Sequence, residues 1–427
     1  MQKIVGALTL LLCTHNLVEA QYCEDDRFTQ AAYFTEEEIV VDTNILYGMA
    51  TNWWQNIFLP TSNSFDIAYP DMAIDPMEKR PLVFLAHGGG FWGGDKENLR
   101  DMMISLARSG YIAVSANYRR GWDSYGEPEL CAGDGESMAK AIYRGMQDVQ
   151  ACMRYLVHFA EDYHIDTARI FMGGESAGSY AILNSMFISQ NDWDIMYPGH
   201  FTELGGLYAS ANNFDDTWNV LGYMNLAGGI MDTAYMVGDA VRPMLNMCGV
   251  VDSIVPAFSG NFLDCPDYAY IMGSMAINEF LLNNGVCSNL HRRFAVGHLP
   301  FEDAYTIGQF ACFMKSILCD DCTDYVYDYH VADCTMAPLD TTGEETTVLD
   351  SGLDEEMYPN PADSYLHVDV EAPADATPII YTAGGALVQT AVNRVAGGFV
   401  ISTAKLPQGT YFLRIGNVGQ GAFLVVH

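Results

Sequence analysis

Gly174-Glu175-Ser176-Ala177-Gly178 decides how the rest of the chain is read. It follows an apolar run, Arg169-Ile170-Phe171-Met172-Gly173, and precedes a plausible helix, Ser179-Tyr180-Ala181-Ile182-Leu183-Asn184. A G-x-S-x-G pentad between a strand and a helix meets the requirement of a strained strand-to-helix turn that projects a serine hydroxyl from a sheet. Small flanking residues let strand and helix approach closely. The helix N-terminus behind the serine favours developing negative charge. Such a pentad also recurs by chance, so its weight depends on what surrounds it.

Upstream, Pro81-Leu82-Val83-Phe84-Leu85-Ala86 is a continuous apolar run of the kind buried on both faces of a sheet. It ends in His87-Gly88-Gly89-Gly90-Phe91-Trp92-Gly93-Gly94. A phosphate cradle would require G-K-[ST] or G-x-G-x-x-G spacing, and neither is present. A plain flexible loop is the simplest reading. A loop that offers backbone N–H groups to an oxyanion is the reading that Ser176 supports. His87 then reads as a loop-organising residue and not as a base.

The segments between and around these motifs alternate. Asp42 to Tyr47 and Gln55 to Pro60 suggest two early strands on an antiparallel edge. Leu99 to Ser109 suggests a helix, Tyr111 to Tyr118 a buried strand, and Met138 to Ala160 a long helix with Ile142, Met146, Val149 and Met153 on one face. The alternation predicts an α/β domain with a mostly parallel central sheet. Asn191 to Gly222 is aromatic-rich and irregular, and reads either as a cap lining the substrate site or as simple surface packing, the first being favoured. Val220 to Gly228 reads as the next strand.

Arg242 to Pro256 is an apolar strand ending in a glycine turn with Asp252. Met275 to Leu282 reads as a helix. Leu290 to Val296 reads as a final strand, followed by Gly297-His298. Ser176, Asp252 and His298 thus stand in the order Ser, acid, His. In such a set the acid orients the histidine, and the histidine takes the serine proton. Asp264 and Asp267 are the rival acids. His158, His164, His200, His291 and His330 are the less well placed histidines.

The chain has 427 residues, 54 acidic against 20 basic, and a formal net charge of -34. A polyanion is repelled by such a surface, which argues against nucleic acid and anionic membrane as partners. Met1 to Ala20 reads as a signal peptide, with Lys3, an apolar Ile4 to Cys13 and small residues at Val18-Glu19-Ala20, leaving a mature start at Gln21. A first buried strand is the competing reading. No later stretch has the length and apolarity of a membrane span. Of 11 cysteines, ten follow the signal, and an even number in an exported chain points to disulfides. Cys265 with Cys287, and pairings within Cys312 to Cys334, are the local expectations. Cys319-x-x-Cys322 is read as structural disulfide partners, since one such pair is weak for zinc.

These pieces together resemble the α/β-hydrolase carboxylesterases with an H-G-G-G oxyanion loop. The resemblance rests on His87 to Phe91, Asn117-Tyr118-Arg119, Asp148-Val149-Gln150-Ala151, Gly174 to Gly178, Gly249 to Pro256 and Gly297-His298. It spans roughly Asp42 to Cys319. It implies an α/β-hydrolase fold, Ser176 as nucleophile, and the N–H groups of Gly89, Gly90 and Ala177 as oxyanion hole, with Glu175 as a spacer. One departure is that carboxylesterases with a G-E-S-A-G elbow often use glutamate as third member, where this chain offers aspartate. The spacing from Ser176 to His298 looks more like the compact bacterial esterases.

Thr335 to Met357 is rich in Thr, Asp, Glu and Gly and reads as a linker. Beyond it, Tyr358-Pro359-Asn360-Pro361-Ala362, Tyr365 to Val368, Pro378 to Gly385, Leu406 to Ile415 and Ala422 to Val426 alternate like short strands of a small all-β sandwich. Composition alone leaves a carbohydrate- or surface-binding module open. The stretch resembles the C-terminal sorting domain of the type IX secretion system of Bacteroidetes. That resemblance implies export to the medium or the outer cell surface of a Gram-negative bacterium, with the secretion machinery as partner.

The expected division is therefore a signal peptide over 1–20, a catalytic domain over 21–334, a linker over 335–357 and a sorting domain over 358–427. The expected activity is a secreted serine carboxylesterase that works through an acyl-enzyme and requires no metal or organic cofactor. Phe91, Trp92, Trp122 and Tyr180 are the candidate substrate-binding residues. Acylated polysaccharide, feruloylated fibre and aromatic polyester are the candidate substrates for an exported enzyme. A serine peptidase and a non-catalytic surface-binding protein with this fold are the alternatives.

Overall fold

The computed structural model describes residues 22–23, 26–29, 32–54, 57–124, 131–294, 296–328, 357–358, 362–370, 378–382, 387–395, 397–415 and 419–425. The signal-peptide expectation over 1–20, most of the linker and His330 lie outside them. The chain divides into two compact units, Met1–Met336 and Ala337–His427.

The first unit is built on a nine-stranded sheet. In chain order its strands are β1 (Ile39–Trp54), β2 (Ile57–Pro70), β3 (Arg80–Ala86), β4 (Ile112–Ala116), β5 (Ile165–Glu175), β6 (Val220–Leu226), β8 (Met244–Gly249), β11 (Ser288–Arg293) and β12 (Tyr325–Tyr327). A separate small antiparallel sheet holds β7 (Gly229–Ile230), β9 (Ser259–Asn261) and β10 (Tyr270–Gly273). The large sheet runs β1-β2-β4-β3-β5-β6-β8-β11-β12. Its first two pairings are antiparallel, and all pairings from β4 to β12 are parallel.

Among the described residues the α-helices are, in order, α1 (Arg100–Arg108), α2 (Gly135–His158), α3 (Ala177–Phe187), α4 (Gln190–Met196), α5 (His200–Leu204), α6 (Ser274–Asn283) and α7 (Asp303–Leu318). This strand order, with helices on both faces, is the α/β-hydrolase fold. The central strands are continuously apolar because both faces are covered. Leu82, Phe84, Ala86, Ile112, Val114, Ile170 and Met172 enter one core with α2 and α3. Val83, Leu85, Ala113 and Phe171 enter the opposite core with α1 and α7. The period-two alternation of a strand divides one run between two cores.

The structure differs from the sequence expectations in three places. The early strands are far longer than their apolar stretches, because pairing from Ile39↔Pro70 to Trp54↔Ile57 carries polar residues along. Leu290 to Val296 is not the final strand, since Tyr325–Tyr327 adds a parallel edge beside it. The Asn191 to Gly222 segment does not line the cleft described below. Trp193 instead packs on Tyr143 of α2, and Phe214 stacks on His158 at 4.1 Å.

The disulfides also differ. Cys265 is bonded to Cys131, and Cys287 to Cys322, so the expected Cys265–Cys287 bond does not form. Cys319 pairs with Cys23 and not with its neighbour in C-x-x-C. Cys287 precedes β11 and Cys322 precedes β12, and these parallel neighbours bring their starts together. Cys312 is disulfide-bonded as well. Cys152 in α2 and Cys248 in β8 are free and buried, so the expectation that all ten later cysteines pair is not met.

In the second unit, β13 (Met357–Tyr358), β14 (Tyr365–Asp369), β18 (Gly398–Ser402) and β17 (Val392–Val395) make one antiparallel sheet. The other holds β16 (Leu387–Val388), β15 (Pro378–Thr382), β19 (Gly409–Ile415) and β20 (Gly419–Val425). Leu366, Val368, Phe399 and Ile401 from the first share a core with Ile380, Tyr411, Leu413 and Val425 from the second, which makes an all-β sandwich.

Candidate active site

The parallel strands end on one rim of the sheet, and four of their exits carry polar function: β3 into His87–Gly94, β5 into Ser176, β8 into Asp252 and β11 into His298. Crevices at the carboxyl ends of parallel strands are where this kind of sheet binds ligands.

Ser176 stands between β5 and α3 with φ 52° and ψ -118°, a conformation that L residues avoid. Glycine on either side makes the turn possible. A Cβ on Gly174 would lie 2.6 Å from the Ser179 nitrogen, and one on Gly178 would lie 2.1 Å from the Ala86 oxygen. The Ser176 N–H donates to the Leu226 carbonyl at 2.8 Å, pinning the turn to β6. Ser176 is 4 % exposed, and its Oγ lies 2.9 Å from His298 Nε2.

His298 Nδ1 lies 2.6 Å from Asp252 Oδ2. The other oxygen of Asp252 accepts from the N–H groups of Ile254 at 2.8 Å and Val255 at 3.0 Å. Those bonds fix the carboxylate and leave Oδ2 aimed at the imidazole. The two loops meet because β8 and β11 are parallel neighbours. Gly249 permits the close approach, since a Cβ there would lie 2.1 Å from the Gly297 oxygen. Asp264 and Asp267 are not joined to His298 by any hydrogen bond among the described residues.

The other described histidines are engaged elsewhere. His158 pairs with Asp216, His164 with the Glu78 carbonyl, His200 with Glu136, and His291 with Tyr305 and Tyr325. His87 is buried, stacks on Tyr118 at 4.5 Å and bonds the Gly88 oxygen through Nδ1. Burial pushes its pKa down to about 4, so the ring is neutral and acts as a brace. Tyr118 donates to the His87 carbonyl at 2.8 Å, and Arg119 is bound bidentately to the buried Asp148. The Asn117-Tyr118-Arg119 stretch thus holds up the glycine loop from below.

That loop needs glycine. Gly89 has φ 114° and Gly90 φ 60°, and a Cβ on Gly89 would lie 2.3 Å from the Gly93 oxygen. Among the described residues no acceptor takes the N–H of Gly89 or Gly90. Ala177 is the first residue of α3, where an N–H has no intrahelical partner. Burial pushes the Glu175 carboxyl up, with His298 opposing and Asp303 reinforcing that shift. Glu175 packs under Gly88, where a Cβ would lie 2.8 Å from its Oε1.

Beside Ser176 opens a cleft with almost wholly apolar walls. Phe91, Met138, Tyr180, Val255, Phe262 and Ile271 form those walls. Of the four candidate substrate-binding residues, Phe91 and Tyr180 line it. Trp122 does not; it is buried behind the loop and donates from Nε1 to the Gly90 oxygen at 2.9 Å. Trp92 is 49 % exposed and also stands outside the cleft. Trp92 lies in the loop and Trp122 follows β4, and neither reaches the cleft. Met138, Val255, Phe262 and Ile271 escape sequence reading because they come from four distant segments with no shared spacing. The Cys265 beside Phe262 is the nearest thing to a signal.

Among the described residues no cluster of His, Cys, Asp or Glu could hold a metal ion, and no helix is long and apolar enough to cross a membrane. No curated protein sequence matches the chain. Among solved structures, the chain is similar to esterase B from Lactobacillus rhamnosis, at 16 % identity over 75 % of this chain and 96 % of that one, with a TM-score of 0.42. A truncated carbohydrate esterase from gut microbiota is similar at 15 % identity over 68 % and 97 %, with a TM-score of 0.40. Esterase 2 of Thermogutta terrifontis with bound propionate follows at 13 % identity over 68 % and 97 %, with a TM-score of 0.41. Residues 356–423, at the C-terminal end of the chain, match the family model of the secretion system C-terminal sorting domain.

Proposed function

We propose that the first unit is an exported serine hydrolase that cleaves carboxylic esters. The observation that carries the reading is the unbroken hydrogen-bonded line from Ser176 Oγ through His298 to Asp252, at the edge of an apolar cleft. A buried serine in a strained turn, bonded to a histidine that is oriented by a buried carboxylate, is the arrangement that activates a hydroxyl as nucleophile.

In the proposed reaction His298 Nε2 takes the Ser176 proton as Oγ attacks the ester carbonyl. The carbonyl oxygen becomes an oxyanion and is received by the N–H groups of Gly89, Gly90 and Ala177. Preorganised donors of this type contribute about 3–4 kcal/mol each in acyl-transfer enzymes. Asp252 holds His298 in the tautomer that accepts at Nε2 and stabilises its charged form. The alcohol leaves with the proton from His298, and water attacks the acyl-enzyme by the same route. The sorting-domain match supports export as the setting. The proposed setting is the medium or the outer surface of a Gram-negative bacterium, where an acylated polysaccharide too large to enter the cell is within reach of the enzyme.

Ser176→Ala tests it. The variant is expected to keep its circular dichroism and melting profile and to lose hydrolysis of short p-nitrophenyl esters. Activity retained by a folded variant overturns the assignment.

A further inference from the structure

The cleft beside Ser176 is closed by a side chain that arrives from outside the main sheet. Phe262 follows β9, and its ring Cζ would lie 3.4 Å from a Cβ on Gly90, so it stands across from the oxyanion loop. It is 8 % exposed. The chain that carries it is contorted: Leu263 and Asp264 both have φ 57°, two successive non-glycine residues in the left-handed region. Such a segment persists only where its surroundings over-determine it.

Those surroundings are covalent. Cys265, fully buried and three residues past Phe262, is bonded to Cys131, four residues before the first residue of α2. The same two segments are locked by packing. A Cβ on Gly135 would lie 1.9 Å from the Asp267 oxygen. The Gly133 N–H donates to the Tyr268 hydroxyl at 2.8 Å. Tyr268 meets Trp122 edge-on at 5.1 Å, and Trp122 donates to the Gly90 oxygen at 2.9 Å. A continuous set of contacts therefore runs from the oxyanion loop, through Trp122 and Tyr268, to the strap that holds Phe262 over the cleft. Met138, on the first turn of α2, completes the wall.

We propose that Phe262, held over the cleft by the Cys131–Cys265 strap, is the residue that sets acyl length, and that it favours esters of short unbranched acids over long ones. This rests on the reading of Ser176 as nucleophile. The cleft walls are apolar, so an acyl chain gains by entering and a charged or hydroxylated one does not. Length is limited because the Phe262 ring stands in the cleft wall across from Gly90, and the Cys131–Cys265 bond ties down the segment that carries it. The bulky acyl groups of feruloyl and aromatic polyester substrates are thereby excluded from this side of Ser176.

The test uses the full chain. The specificity constant kcat/KM is measured for p-nitrophenyl acetate, butyrate, hexanoate and octanoate with wild type, Phe262→Ala and the double variant Cys131→Ser/Cys265→Ser. In parallel, ethyl-, butyl- and octylboronic acids, which add reversibly to an activated serine, are titrated by thermal stabilisation. Wild type is expected to prefer butyrate over octanoate by about tenfold or more. Phe262→Ala should raise the octanoate-to-butyrate ratio at least tenfold, and the double variant should move it in the same direction. A ratio unchanged in Phe262→Ala, or a wild type indifferent to length, overturns the proposal. Absence of all ester hydrolysis, together with length-selective boronic acid binding that relaxes in Phe262→Ala, supports the wall and refutes the esterase reading. Length-independent boronic acid binding overturns the wall whatever the hydrolysis result.

Discussion

At the scale of single residues, the site depends on which carboxylate faces His298. Asp252 is fixed by two backbone N–H donors and reaches Nδ1 at 2.6 Å, whereas among the described residues no hydrogen bond joins Asp264 to the ring. Asp252→Asn is therefore expected to reduce kcat by about 10³- to 10⁴-fold, since an amide can favour the wrong tautomer. Asp264→Asn should stay within a few-fold, and steady-state kinetics on p-nitrophenyl butyrate compares the two. His87 sets a second expectation. Its pKa is pushed from 6.5 to about 4 by burial, so the folded protein binds fewer protons than the unfolded chain between those values. The stabilising contribution is present above pH 6.5 and is lost as pH falls through 4, amounting to at most about 3 kcal/mol. Denaturant melts across that window should show the loss, and His87→Gln should flatten it at the cost of lower stability at neutral pH.

At the scale of elements, the turn at Ser176 is possible because β3, β5 and α3 come together with no side chain between them. Gly178 is the tightest point, with its missing Cβ 2.1 Å from backbone oxygen in β3. Backbone cannot yield as a flexible side chain can. Gly178→Ala should destabilise by more than about 2 kcal/mol and lower the melting temperature of the first unit, with activity falling alongside it. Equal stability with normal activity would contradict the packing described for the turn.

At the scale of the whole molecule, the chain is two units with separate cores. A chain ended after Met336 is expected to fold and hydrolyse p-nitrophenyl butyrate with kcat/KM within a few-fold of full length, while failing to be exported by a host that carries the cognate secretion system. Fractionation and activity assays check both halves. A truncated protein that does not fold would show that the second unit supports the first.

The sequence by itself determined the mostly parallel sheet and the glycine turns at the ends of its central strands. A strand buried on both faces has to be a continuous apolar run, and Pro81 to Ala86 and Ile170 to Gly173 announce themselves that way. Tight turns need glycine at particular positions, so the pentad around Ser176 and the loop after His87 are written locally. Chain order and strand ends single out Ser176, Asp252 and His298, and hydrogen bonds join those three in the fold. Only the tertiary structure decided the rest. Trp92, within the glycine loop, and Trp122, just past β4, stand outside the cleft, while Met138, Val255, Phe262 and Ile271 converge on it from distant segments. The cysteine pairing is likewise a matter of which segment ends the folded chain brings together. Contacts between residues far apart in sequence depend on the path of the backbone in space, and no local pattern records that path.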